Sequence, residues 1–292
     1  MRKEYLILLL VTASWGSAHP LGKIVLTEVT PAQFALMRSG LACVGLALIA
    51  LATGRLRALR RLDRRSLLLA VATGLFGFAA TAILGAMALR LIPASINGLL
   101  LNTSPLFIAV IAPLLLHERL TAKIGLGMLV ALVGIFLVTF ANTGLANWES
   151  LSMAGILLSL AGSLSWALYT MGGRPLMKAF DAISINAFMS LCGALVLLAL
   201  VLTGDGFAQI AAASTSSKLL LIYLGPGITG VGFTLWYYCL KGLPAASVGV
   251  FQYLVPVFAV ILSSLLLGEP ITPPLVIGML FIIGGVRLVQ DV

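Results

Sequence analysis

The sequence predicts an all-α integral membrane protein: ten transmembrane helices, arranged as two five-helix repeats of inverted topology. Three observations carry this. Of 292 residues, 61% are hydrophobic and 9% charged, against about 25% charged in a soluble domain, so lipid must be the solvent for much of the surface. Ten apolar runs can each supply the roughly 20 residues that cross about 30 Å of hydrocarbon as a helix. The motifs of the first half then return in the second at a constant offset of 151 residues. An outer-membrane barrel is excluded. Its segments of about ten residues alternate strictly, and these runs do not, whereas helices satisfy their backbone polar groups internally.

The first run, 4–25, follows Arg2 and Lys3 and opens like a signal peptide. It continues past Pro20 and its pattern returns later in the chain, so it is read as a span. The second, 31–53, opens at Pro31 and holds Arg38. The third, 66–90, follows the basic stretch "GRLRALRRLDRR". That stretch is a topology anchor near anionic lipid, not a nucleic-acid surface. The fourth, 93–116, opens at Pro93, meets Pro105 near mid-membrane and ends at "APLLLHERLT". The fifth, 122–141, begins just after Glu118, whose charge suits the positive end of a helix dipole. The sixth is 151–172 and the seventh 182–203. The eighth, 217–240, contains Gly225, Pro226 and Gly227, breakers that predict a hinge or a discontinuous segment. The ninth, 244–267, repeats the fourth with Pro244, Pro256 and "SSLLLGEPIT". The tenth, 272–290, follows Glu269 as the fifth follows Glu118. Cys43, Cys192 and Cys239 lie in different runs at no pairing spacing and read as small core residues.

Orientation follows from the connections. Fourteen of the 18 Lys and Arg fall on the side that holds both termini; Lys23, Arg90 and Lys218 fall opposite, and Arg38 lies inside a span. Positive charge marks the cytoplasmic side, so both termini are cytoplasmic.

The offset of 151 pairs Ser14 and Trp15 with Ser165 and Trp166, Pro93 with Pro244, and Pro105 with Pro256. It also pairs Glu118 with Glu269, Gly127 with Gly278 and Gly134 with Gly285. The chain is therefore two copies of one five-helix unit, residues 1–141 and 151–292. An odd number of spans inverts the second copy. Inverted repeats are a recurrent transporter design, with the solute held near the midplane where the halves meet.

The stretches "SWGSAHPLGK" (14–23), "PAQFALMRSGLA" (31–42) and "LIPASINGLLLNTSPLFIAVIAPLLLHERLT" (91–121), with their echoes "SWALYTMGGRP" (165–175) and "GLPAASVGVFQYLVPVFAVILSSLLLGEPIT" (242–272), carry a resemblance. The chain resembles the drug/metabolite transporter superfamily, specifically its bacterial ten-helix EamA-type members. The resemblance implies a multi-pass protein of the bacterial cytoplasmic membrane that exports amino acids and related metabolites. His19–Pro20 and the 225–227 breakers depart from the general pattern of that family.

Candidate site residues follow from position. Thr12, Trp15 and His19 share one face of the first helix, and Ser163, Trp166 and Thr170 repeat it in the sixth. Trp15 is about 16 Å into its helix, near the midplane, where paired tryptophans flanked by hydroxyls predict a cavity lining. Pro105 and Pro256 each remove an N–H and free the carbonyl four residues back, on Leu101 and Gln252. Asn97, Asn102 and Ser104 cluster at one bend, Gln252 and Tyr253 at the other, a setting for a zwitterionic or polar solute. On the eighth helix Thr234 and Tyr238 share a face, with Trp236 and Tyr237 expected to point elsewhere. By pseudo-symmetry the third helix should offer Phe76, Phe78 and Thr81. Arg38, about 10 Å into the membrane and costly there by roughly 2.5–3.5 kcal/mol, either binds a substrate carboxylate or braces its helix. Glu118 and Glu269 read as helix-start caps or gate contacts, and His19 is the plausible titrating group.

These residues predict a secondary transporter of a small polar solute, needing the lipid bilayer, no cofactor, no metal, no nucleic acid and no oligomer. An importer or exchanger is the second reading. An intramembrane lipid enzyme is a third, against which "HE" at 117–118 lacks a second histidine nearby. Transport without an obligatory proton is expected, since no acid lies clearly at mid-depth.

Overall fold

Capping residues and prolines decide where the helices begin. Thr30 caps α2 (Pro31–Ala52) in a reciprocal box with Gln33, and Pro31 fills the first helical position, where no N–H is needed. Asp181 caps α9 (Ala182–Thr203) through the Ser184 amide. Thr30 and Asp181 are one repeat apart, as are Gln33 and Ser184. Asp63 and Ser214 form a second such pair. Asp63 caps α3 (Arg64–Gly74) at Ser66, and Ser214 caps α11 (Thr215–Ile222) at Ser217. α2 and α9 both run out toward a glycine with positive φ, Gly54 at 67° and Gly206 at 63°.

This computed structural model describes residues 3–89, 91–92, 94–116, 121–143, 152–204, 206–267 and 271–290. The chain starts with α1 (Lys3–Val25) and α2, then a short 3₁₀ turn at Arg55–Arg61. α3 passes through a π-helical segment, Leu75–Ala80, into α4 (Thr81–Leu89). α5 (Ala94–Leu101), α6 (Ser104–Leu116) and α7 (Ala122–Thr143) complete the first half. The second half runs α8 (Met153–Ala179), α9, the short α10 (Ala208–Ala212) and α11. A second π segment, Tyr223–Val231, leads to α12 (Gly232–Gly242), followed by α13 (Ala245–Phe251), α14 (Leu254–Leu267) and α15 (Pro273–Gln290). Among the described residues there is no strand, and eight helical stretches are long and apolar enough to cross a membrane.

The two prolines break their helices as expected. α5 stops at Leu101 and α6 restarts at Ser104; α13 stops at Phe251 and α14 restarts at Leu254. The Gln252 carbonyl takes the Val255 amide at 3.0 Å, and the Thr103 carbonyl the Leu106 amide at 2.9 Å. Tight i→i+3 bonds thus replace the helical ladder through each break. The π segments occupy overlapping positions one repeat apart. At each a threonine hydroxyl bonds the carbonyl five residues back: Thr81, just after the first segment, to Phe76 at 2.8 Å, and Thr229, within the second, to Leu224 at 2.9 Å. π segments inside α-helices are frequent at functional sites.

Lipid tails are as apolar as leucine, so close packing and hydrogen bonds hold the helices together. α7 and α15 meet backbone to backbone. A Cβ on Gly127 would fall 2.6 Å from the Gly285 carbonyl oxygen, and one on Gly134 would fall 2.5 Å from that of Gly278. The pairing is crosswise, because Gly285 is the repeat partner of Gly134 and Gly278 that of Gly127. The two helices are therefore antiparallel. α2 and α9 meet in the same manner. Gln33 donates to the Gly206 carbonyl at 3.0 Å, and Ser184, its repeat partner, to the Arg55 carbonyl at 3.1 Å. Arg55 and Gly206 are themselves one repeat apart.

Candidate functional site

A cavity of about 260 Å³ lies between α2, the first π segment with α4, α5, α8 and the second π segment with α12. It reaches Leu26 and Pro31, at the end of the bundle opposite Lys3. Its walls are mainly apolar, with Phe34, Phe78 and Phe233 supplying rings and Gly77, Ala82, Gly85 and Ala86 supplying room. Arg38, Asn97, Trp166 and Thr229 are its main polar groups.

Arg38 stands one helical turn after Phe34, whose ring centroid is 5.4 Å from the guanidinium carbon. Its Nε and Nη2 donate to Thr229 Oγ1 at 3.2 and 3.0 Å. That hydroxyl gives its own proton to Leu224, so it accepts from Arg38 as a neutral partner. Among the described residues the ion pair present joins Arg55 to Asp181 at 3.8 Å. No carboxylate is among the residues that line the cavity. Asn97 is held from both sides: its amide donates one N–H to the Gly85 carbonyl at 3.2 Å and its Oδ1 accepts from Ser159 at 2.6 Å. Trp166 is 7% exposed, and its Nε1 has no hydrogen-bond partner among the described residues.

Behind Trp166 the bundle is closed. Trp15 meets it edge-on, centroids 5.3 Å apart at 84°, and donates its own Nε1 to the Ile228 carbonyl at 3.4 Å. Toward the Lys3 end, Tyr169 donates to Asn186 Oδ1 at 3.1 Å and Asn186 donates to Thr234 at 3.1 Å. Tyr237 donates to the Tyr169 carbonyl at 2.7 Å, and Trp236 Nε1 to Thr170 at 3.4 Å. Tyr169, Tyr237, Trp236, Thr170 and Asn186 are all fully buried. Glycines make the space: a Cβ on Gly77 would collide with the Tyr169 ring, and one on Gly173 with that of Tyr237.

Of the sequence candidates, Arg38, Asn97 and Trp166 line the cavity, with Trp15 and Thr170 packed behind it. At the proline breaks Ser104 donates to Gln252 Oε1 at 2.8 Å, tying the two breaks together. Asn102 turns back to the Gly98 carbonyl at 2.8 Å, and the buried Tyr253 hydroxyl has no partner among the described residues. Phe78 and Thr81 line the cavity, but Phe76 is exposed on the outer face. On α12 the candidate Tyr238 does not reach the cavity, although Thr234 does face the interior, where it accepts from Asn186. Trp236 and Tyr237 face the interior, while Tyr238 is 40% exposed beneath the Lys3 ammonium, 5.7 Å from its ring centroid. Gly173 of α8 leaves the room that the Tyr237 ring occupies, and Trp236 is held by its bond to Thr170. The His19 side chain, Glu118 and Glu269 lie outside the described residues.

Sequence reasoning missed Thr229, Phe233, Tyr169 and Asn186. A signal for part of this exists where the repeats disagree. Gly77, Ala82, Gly85 and Ala86 correspond at the offset to Ile228, Phe233, Trp236 and Tyr237. The small set opens the cavity, and the large set fills its twin.

The EamA-like transporter family model matches residues 2–140 and again 153–290. Uncharacterized transporter YetK of Bacillus subtilis is 27% identical over 283 residues, 97% of this chain and 85% of its own. A probable terminal-alkyne amino-acid exporter of Streptantibioticus cattleyicolor is 28% identical over 291 residues, 99% of this chain and 94% of its own. A crystal structure 21% identical in sequence superposes with a TM-score of 0.85, covering 99% of this chain and 96% of that one, and so shares the fold. Two matched repeats in an all-helical bundle, with transporters as relatives along nearly the whole chain, settle the assignment: this multi-pass membrane protein belongs to the EamA-like transporter family of the drug/metabolite transporters.

Proposed function

We propose that the chain exports amino acids or similarly small polar metabolites across the cytoplasmic membrane by alternating access. In this reading α1 and α15 join the eight long apolar stretches to make ten spans, with both termini cytoplasmic. The crosswise, antiparallel pairing of α7 with α15 and of α2 with α9 supports an inverted second repeat. A two-fold axis relating antiparallel helices must lie perpendicular to them, hence in the membrane plane. The cavity then faces outward, and the aromatic and Asn186 network seals the cytoplasmic side.

The observation that carries the mechanism is the inequality of the two tryptophans. Trp15 Nε1 bonds the Ile228 carbonyl. The repeat image of that bond would join Trp166 Nε1 to the carbonyl of Gly77, and it is unmade, while both residues line the cavity. In the inward state the bonds exchange: Trp166 closes onto Gly77 and Trp15 releases Ile228. Each state satisfies one indole and leaves the other for the solute. The name of the Streptantibioticus relative supports an amino-acid substrate. Efflux of labelled amino acids from loaded proteoliposomes tests the reading. At least one should leave faster than from protein-free vesicles, and Trp166→Ala should slow it while the variant purifies in normal yield. Absence of efflux across the panel, or full efflux in Trp166→Ala, would contradict it.

A further inference from the structure

We infer that Arg38 is the carboxylate-binding residue of the cavity. The site selects a solute with one carboxylate and an apolar, ring-bearing body, and it does not read an amino group. The inference rests on the transport reading in one respect, that the cavity is where the solute sits.

Among the described residues no carboxylate pairs with Arg38. Its partners there are the Phe34 ring and Thr229, which accepts from two of its N–H groups as a neutral group and leaves the rest of the guanidinium fork without a partner among those residues. A cation held among apolar walls without a counter-ion is costly, and a bound carboxylate removes that cost through parallel charge-assisted bonds. Trp166, also a lining residue, carries a second, independent donor, a buried indole N–H with no partner among the described residues. Both polar devices therefore donate, and both await an acceptor.

An ammonium finds the opposite setting. No carboxylate is among the lining residues, Asn97 Oδ1 is already engaged by Ser159, and Arg38 repels it. The remaining wall is set by Phe34, Phe78 and Phe233, which suit a ring or branched apolar body. The volume of about 260 Å³ lies below the roughly 300–1,000 Å³ of drug-sized pockets, so the body is small.

Calorimetric titration of the purified full-length protein tests this with three probes of one shape: phenylalanine, 3-phenylpropionate and phenethylamine. The two carboxylates should bind within about threefold of each other, and phenethylamine at least about tenfold more weakly. Arg38→Met should weaken both carboxylates roughly 10- to 100-fold. Arg38→Lys should fall between, since it keeps the charge but loses the fork. Trp166→Phe, which keeps a ring and removes the N–H, should weaken them by about threefold to tenfold. Thr229→Val removes the brace and leaves the charge, so it should retain the preference for acid over amine. The wild-type preference among the three probes needs no variant to fold. Phenethylamine binding as tightly as 3-phenylpropionate, no binding of either carboxylate, or unchanged affinity in a folded Arg38→Met would each overturn the inference. Carboxylate binding without flux in proteoliposomes would sink the exporter reading and leave this site standing. Flux that phenethylamine inhibits as well as the acids would do the reverse.

Discussion

A single carboxylate ties the two repeats together at the cavity end of the bundle. Glu28, in the connection after α1, accepts from the Ser214 amide, from the Ser214 hydroxyl at 2.8 Å and from the Ser217 hydroxyl at 2.8 Å. These bonds favour the charged form and hold the Glu28 carboxyl below its ordinary value of 4.5. Its contribution is therefore complete above that value and is lost as pH falls through the lowered folded-state value. Thermal melts should show the wild type losing more midpoint than Glu28→Gln between about pH 7 and about pH 3; equal losses would contradict this linkage. At the other end Tyr169→Phe would leave Asn186 Oδ1 buried without its donor. It should cost about 1–3 kcal/mol, read as a lowered melting temperature. At this scale Arg38 and Trp166 were legible in the sequence, one as a charge inside an apolar run, the other as a repeated tryptophan at mid-depth. Tyr169 and Asn186 were not. A lone tyrosine or asparagine in an apolar run is indistinguishable from packing until the helix opposite supplies its partner.

Helix boundaries in the two halves obey the same capping chemistry with different residues, and this explains what the repeat preserves. Thr30 and Asp181 both accept an amide at the first turn, as do Asp63 and Ser214, so position is kept while identity drifts. The glycine pairs divide by what surrounds them. Gly134 touches the backbone of Gly278, whereas an added Cβ on Gly98 meets nothing within 4 Å, although Gly98 also recurs, as Gly249. Gly134→Leu should separate α7 from α15 and cost about 1–3 kcal/mol or more by overpacking. Gly98→Ala should be neutral or stabilise by up to about 1 kcal/mol, since alanine favours a helix. Melting temperatures of the purified variants check both, and equal effects would mean that recurrence alone marks a tight contact. The apolar runs and the proline breaks were legible as elements, because both follow from local chemistry. The π segments were only hinted at by Gly225, Pro226 and Gly227. A π turn shifts the helical phase without changing the composition, so which of Trp236, Tyr237 and Tyr238 faces the interior was not legible.

The asymmetry of the whole molecule arises where its halves fail to match. Gly77, Ala82, Gly85 and Ala86 leave a cavity in one half, and Ile228, Phe233, Trp236 and Tyr237 occupy the equivalent space in the other. Duplication was legible through the matches at the offset of 151. The side on which the cavity opens was written in the mismatches, which carry meaning only once the helices are packed. The central claim is that access alternates between two pseudo-symmetric halves, with the outward side open in this structure. Single-cysteine labelling tests it most directly, in a background without Cys43, Cys192 and Cys239, using a membrane-impermeant maleimide on right-side-out and inside-out vesicles. Arg60→Cys, in the 3₁₀ turn after α2, fixes the sidedness and should react only from the cytoplasm. Ala82→Cys should then react from outside and Thr234→Cys should be protected from the cytoplasm. Thinning the plug with Trp236→Gly and Tyr237→Ala should reverse both, lowering outside reactivity at position 82 as cytoplasmic reactivity at position 234 rises. Reactivity at the two positions that rises together, or an outside-reactive Arg60→Cys, would contradict the account.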